Sequence, residues 1–172
     1  MLRFFGMLCI LAGSTGIGMW MARELDLRHE ELLELQRLIL SLRGEIRYMH
    51  QPLAEAFFRL SVNAPAPFGV FFRNTAEELE LRKGSTAEEI WRRNQEQYLS
   101  GLHISRQELA QFQNLGNMLG YLDVEMQVNT LDYYLEQLKI ASACAAETAN
   151  SRRRLYRYIG ALSGVALVIL IF

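Results

Sequence analysis

An all-α protein, a six-helix antiparallel bundle flanked by an N-terminal and a C-terminal transmembrane helix, is the fold class this sequence predicts. Three observations carry that reading. Between residues 23 and 157 apolar positions recur at intervals of three and four, and no stretch alternates with period two. Prolines occur only at 52, 65 and 67, so long helices are permitted almost everywhere. The longest uncharged apolar runs lie at the two ends. The average composition, 51% apolar and 22% charged, is that of an ordinary soluble protein and conceals this concentration.

Phe4 to Ala22 contains no charged residue. Nineteen helical residues rise about 28 Å, close to the ~30 Å hydrocarbon core of a bilayer. The run exceeds a signal-peptide core, and Trp20 suits a cleavage site poorly, so residues 1–22 read as a retained anchor. Ile159 to Phe172 is also uncharged and rises about 21 Å, which suffices for a thin, untilted crossing when Tyr158 and the preceding arginines reach the headgroups. Arg152, Arg153, Arg154 and Arg157 mark a cytoplasmic face. The expected division is therefore 1–22 transmembrane, 23–157 cytoplasmic bundle and 158–172 transmembrane, a multi-pass arrangement in the cell membrane. Of the 18 basic residues six flank the middle, leaving 12 against 19 acidic between Glu24 and Glu147, a balance of −7. Basic flanks near anionic lipid and an acidic body away from it fit this topology.

Leu32, Leu35, Ile39, Leu42, Ile46 and Met49 form a 3-4-3-4-3 seam on a first helix that continues the anchor. A turn at His50–Gln51 leads to Pro52 at the first position of a second helix, whose apolar face is Leu53, Ala56, Phe57 and Leu60. After a loop from Val62 to Ala66, Phe68, Phe71, Phe72, Thr75 and Leu79 line a third helix ending near Gly84. Ser85 with Glu88, and Ser105 with Glu108, read as capping boxes opening the fourth and fifth helices. The fourth turns Ala87, Ile90, Trp91 and Tyr98 inward and leaves Gln95 exposed. Leu109, Phe112, Leu115 and Leu119 face inward on the fifth, which Gly120 stops. Asp123 caps a long sixth helix carrying Leu131, Leu135, Leu138, Ala141 and Ala145, which runs on into the C-terminal span.

Chemistry-bearing constellations are missing from the sequence. His29, His50 and His103 have no partner at i+4, and Cys9 and Cys144 make no metal or redox motif and read as small apolar packing residues. No glycine-rich phosphate loop or nucleophile elbow occurs. Catalytic residues, cofactors and metals are accordingly not expected, and the net charge of −1 suggests no nucleic acid. Glu77, Glu78, Glu88 and Glu89, with Glu80 beside them, mostly have Arg82, Lys83, Arg92 or Arg93 three or four residues on, the pattern of a solvated helix face. They are also the candidate docking surface for a cytoplasmic protein partner. Gly160 with Gly164, and Gly16 with Ala12, Gly13, Ser14 and Gly18 around it, supply small residues for helix packing in lipid, so a homo-oligomer is open.

The run from Glu45 through Tyr48, Pro52 and Leu53 to Ala56 is similar to a motif of the stage III sporulation protein AB family. So are Leu119-Gly120-Tyr121-Leu122-Asp123 with Gln127, and the basic run Arg152–Arg157 before Gly160 and an apolar tail. The resemblance covers the whole chain. It implies a component of the channel complex between mother cell and forespore, in the mother-cell membrane facing the forespore. Its soluble domain resembles one repeat of the inner-membrane platform protein F of type II secretion. The implied partners are a cytoplasmic secretion-type ATPase and other channel subunits. A different class, a signalling module relaying across the membrane through its first and last helices, stays open.

Overall fold

The computed structural model describes the backbone of residues 2–49, 52–81 and 84–171 and the side chains of residues 23–49, 52–81 and 84–151. Among the described residues the chain is all-α, with six helices and no strand: α1 (Leu2–Gly44), a π-helical turn at Glu45–Met49, α2 (Leu53–Asn63), α3 (Phe68–Leu81), α4 (Ala87–Tyr98), α5 (Arg106–Leu119) and α6 (Val124–Ile171). α1 and α6 continue without a break out of the apolar ends, as their periodicity predicts. Among the described residues no helix is long and apolar enough to cross a membrane. The two apolar spans, with Cys9, Gly13, Gly16, Gly160, Gly164 and Arg152, Arg153, Arg154 and Arg157, lie outside the residues whose side chains are described.

Two compact units are present, residues 1–30 with 142–172, and residues 31–141. In the first, His29 Nδ1 donates to the Ser142 carbonyl at 3.0 Å, and the small residues Ala145 and Ala149 are buried. Cys144 is a free thiol and is exposed rather than packed, because it lies one residue, about 100° of helix, before the buried Ala145.

The second unit is built on sequential packing of α2 on α3, α3 on α4 and α4 on α5. Its centre is aromatic. Trp91 meets Phe112 at 4.8 Å and Phe71 edge-on at 4.9 Å between ring centroids, with Phe57 and Phe72 completing the cluster. α1 contributes Leu32, Leu35, Ile39 and Leu42, and also Leu38, and the π turn adds Ile46, all buried. Leu38 widens the face beyond a two-position seam, which is what a helix enclosed by several neighbours requires. Met49 is exposed: the i→i+5 bonding of the π turn spreads the winding and carries residue 49 off the seam.

Three local expectations shift. α4 is capped by Thr86, whose side chain accepts from Glu89 N while Glu89 returns to Thr86 N at 3.0 Å; Ser85 and Glu88 stand one residue out of register. The Ser105–Glu108 box forms as expected. Pro52 is the N-cap of α2 rather than its first turn, and α2 runs to Asn63, so Val62 is helical. Gln95 is buried, because it follows Trp91 by one turn and donates to the Leu109 carbonyl at 2.9 Å. Gly84 takes φ +81°, the left-handed conformation that closes the α3–α4 turn.

Candidate functional site

The directions of three helices in the 31–141 unit follow from its polar contacts. Glu31 on α1 accepts from the backbone of His103 and Ile104, at 2.7 and 3.1 Å, so α1 passes the start of α5. Gln127 Nε2 donates to Leu119 O at 2.6 Å, and the rings of Phe112 and Tyr134 lie 6.3 Å apart, so α5 and α6 are antiparallel. α1 therefore runs with α5 and against α6, and Arg43 pairs with Asp132 near their shared end. Gly120 completes this end from another side. A Cβ there would stand 3.0 Å from the Cβ of Ala87, so the end of α5 touches the first turn of α4. Gly120 has φ −72°, and close approach rather than left-handed backbone is its reason.

Residues far apart in sequence thus gather at one end of the unit: Tyr48, Pro52 and Leu53 from the first motif, Gly120, Asp123 and Gln127 from the second. Five of the six are consumed by local structure. Pro52 O accepts from Glu55 N and Ala56 N, and Leu53 is half-buried behind it. Asp123 Oδ1 accepts from Met126 N at 2.8 Å, capping α6, and Gln127 satisfies a terminal carbonyl of α5. Tyr48 is different. It is 73% exposed, and its ring lies 5.7 Å from the Arg47 guanidinium carbon.

Around this end Met49, Met118, Tyr121, Val124 and Met126 are exposed as well, with Tyr121 at 71%. Helical periodicity places Met118 and Met126 off the buried faces, a signal by which the sequence could have disclosed them, whereas the π turn carries Met49 off its seam. Flexible Met and amphipathic Tyr side chains gathered on one surface suit protein contact.

The four candidate docking carboxylates are not equivalent. Glu88 and Glu89 occupy the first turn of α4, beside Gly120, where Glu89 is engaged in the capping box. Glu78 bridges to α4, accepting from Arg93 and, at 3.2 Å, from Asn94 Nδ2. Glu77 pairs with Arg73 on its own helix at 3.4 Å, with both side chains exposed. Arg82 and Lys83, the expected partners, are outside the described residues. A hollow of about 430 Å³ lies between α3 and α4 over Glu78, Leu81, Ile90 and Arg93. Among the described residues no three His, Cys, Asp or Glu side chains gather as a metal-binding group.

The described unit is thus a helical bundle whose exposed end joins apolar and acidic side chains. The model of the stage III sporulation protein AB family matches residues 3–172, and the chain belongs to that family. It is 25% identical over 172 residues, 99% of each chain, to stage III sporulation protein AB of Bacillus subtilis (strain 168). A solved structure of stage III sporulation protein AB matches with a TM-score of 0.65 at 22% identity, over 72% of this chain and 97% of that one, a likeness of fold. The protein therefore has its role in sporulation.

Proposed function

We propose that this protein is a non-enzymatic, membrane-anchored platform subunit of a sporulation channel complex between mother cell and forespore. The apolar ends anchor it, and the exposed end of its helical unit docks a cytoplasmic ATPase and neighbouring channel subunits. The observation that carries this is Tyr48. It belongs to the family motif, yet its side chain serves no cap and packs in no core, whereas Pro52, Leu53, Gly120, Asp123 and Gln127 are absorbed structurally. An exposed aromatic residue of this kind, on a unit that also exposes Met49, Tyr121 and Met126, is what a protein interface spends its binding energy on. The uncharged runs 4–22 and 159–172 and the basic residues beside them support anchoring with the acidic unit in the cytoplasm.

The test joins topology to partnership. Glu96 is exposed on α4, whereas Gln95 is buried and unsuited to labelling. With Cys9 and Cys144 replaced by Ser, a cysteine at 96 is protected from an impermeant thiol reagent in intact cells and reactive after permeabilisation. The tagged full chain, extracted from membranes of sporulating cells, brings down an ATPase. Labelling at 96 in intact cells would refute the topology, and recovery without any ATPase would refute the platform.

A further inference from the structure

A second surface of the 31–141 unit lies on its long helices. Between α1 and α6 runs a groove of about 460 Å³, lined by Gln36, Leu40 and Arg43 on one side and Asp132, Tyr133 and Glu136 on the other. Tyr133 and Ile140 are each 70% exposed, and Leu33 and Leu40 are exposed too. These four make two pairs. Leu33 and Leu40 are seven residues apart on α1, and Tyr133 and Ile140 seven apart on α6, so each pair lies along one helix face. Counting from the Arg43–Asp132 ion pair along antiparallel helices brings Leu40 level with Tyr133, and Leu33 level with Ile140, each to within two residues, about 3 Å. The groove therefore carries two apolar layers about 10 Å apart, with Gln36 and Glu136 between them.

We infer that this groove is the contact surface for a second copy of the same chain. Its charge argues for that occupant. Residues 24–147 carry −7, yet the groove's own charges, Arg43, Lys139, Asp132 and Glu136, cancel. A surface built for a basic partner would share the acidity of the body; this one is neutral, its charges paired within the chain as Arg43–Asp132 and Lys139–Glu136, so two copies can bring their apolar layers together without like-charge repulsion. Two-fold association brings the same patch of both copies together, and this patch tolerates that. With the axis along the helices, α1 of each copy faces α6 of the other. Leu40 then meets the partner's Tyr133, and Leu33 meets the partner's Ile140, giving a four-helix arrangement of antiparallel neighbours closed by two mixed apolar layers. The axis direction rests on both copies being anchored in one membrane; the surface itself does not.

The test uses the full chain in detergent with Cys9→Ser and Cys144→Ser. Copies bearing Leu40→Cys and one tag are mixed with copies bearing Tyr133→Cys and another, then oxidised. The disulfide joining the two tags forms at roughly ten times the yield or more of a control pair at Val70, an exposed position on α3. Leu33→Asp with Ile140→Asp abolishes it while the far-ultraviolet helical signal stays unchanged, because both positions are at the surface. Yields equal to the Val70 control, with the protein helical, overturn the inference. A Leu40→Cys to Leu33→Cys bond in place of the Leu40–Tyr133 bond means the copies run head to tail. That supports the surface and contradicts the shared anchoring.

Discussion

Gly116 lies against the face of Trp91, and a Cβ on residue 116 would fall among the indole atoms. Trp91 is fully enclosed by Phe57, Phe71 and Phe112, so the ring has nowhere to retreat. Gly116→Ala therefore overpacks the core and costs about 1–3 kcal/mol, read as a lowered denaturation midpoint. Tyr134 shows the opposite economy. Its hydroxyl is buried with no hydrogen-bond partner among the described residues, and burial first, then the charge of Glu108, pushes its ionisation far above the ordinary tyrosine value. The sign of the pH effect follows. Below about pH 10 both states hold the proton; above it the unfolded tyrosine ionises while the folded one does not, so stability is lost as pH rises. Tyr134→Phe removes that component of the alkaline loss and is neutral or stabilising at pH 7, since no hydrogen bond is given up. Parallel melts of the two proteins at pH 7 and pH 11 check this: a gap that does not change in favour of the variant at pH 11 contradicts it.

At the scale of elements, the start of α4 is the sharpest case. Thr86 and Glu89 exchange both bonds of the capping box, and Ser85 stands outside it. Thr86→Ala should cost about 1 kcal/mol. Ser85→Ala should stay within about 0.5 kcal/mol in the same urea titration; the reverse order would restore the Ser85–Glu88 register. Either register satisfies the sequence pattern S/T-x-x-E, because Ser85-Thr86 and Glu88-Glu89 are adjacent doublets, and only the turn left by Gly84 decides between them. The same limit recurs elsewhere. Helix existence and the apolar faces were legible, since Phe57, Phe71, Trp91, Phe112 and Leu135 recur at helical spacing and are buried. The π turn at Glu45–Met49 was not, because its one extra residue per turn leaves no compositional mark, and Met49 and Tyr48 were displaced with it. Gln95 was misjudged because a polar side chain enters the core wherever one backbone carbonyl, here Leu109, awaits it.

Over the whole molecule, the motif residues were legible as a set, but their convergence was not. Tyr48 and Gly120 are separated by more than seventy positions, and only the directions of α1, α5 and α6 bring them to one end. Of the acidic candidates, Glu78 and Glu89 are spent on holding α4, which leaves Glu77 and Glu88 for a partner. On the two proposals the surface divides into an apolar and acidic end for partners and a charge-balanced groove for a second copy. The proposed docking end then contributes little to the fold. That is tested by recovery of the proposed ATPase partner from sporulating cells by the full chain carrying Tyr48→Ser with Tyr121→Ser, beside a thermal melt of the same variant. A docking role gives a melt close to that of the parent and partner recovery reduced by about tenfold or more, as loss of exposed aromatic anchors entails. Undiminished recovery with the fold intact would contradict it.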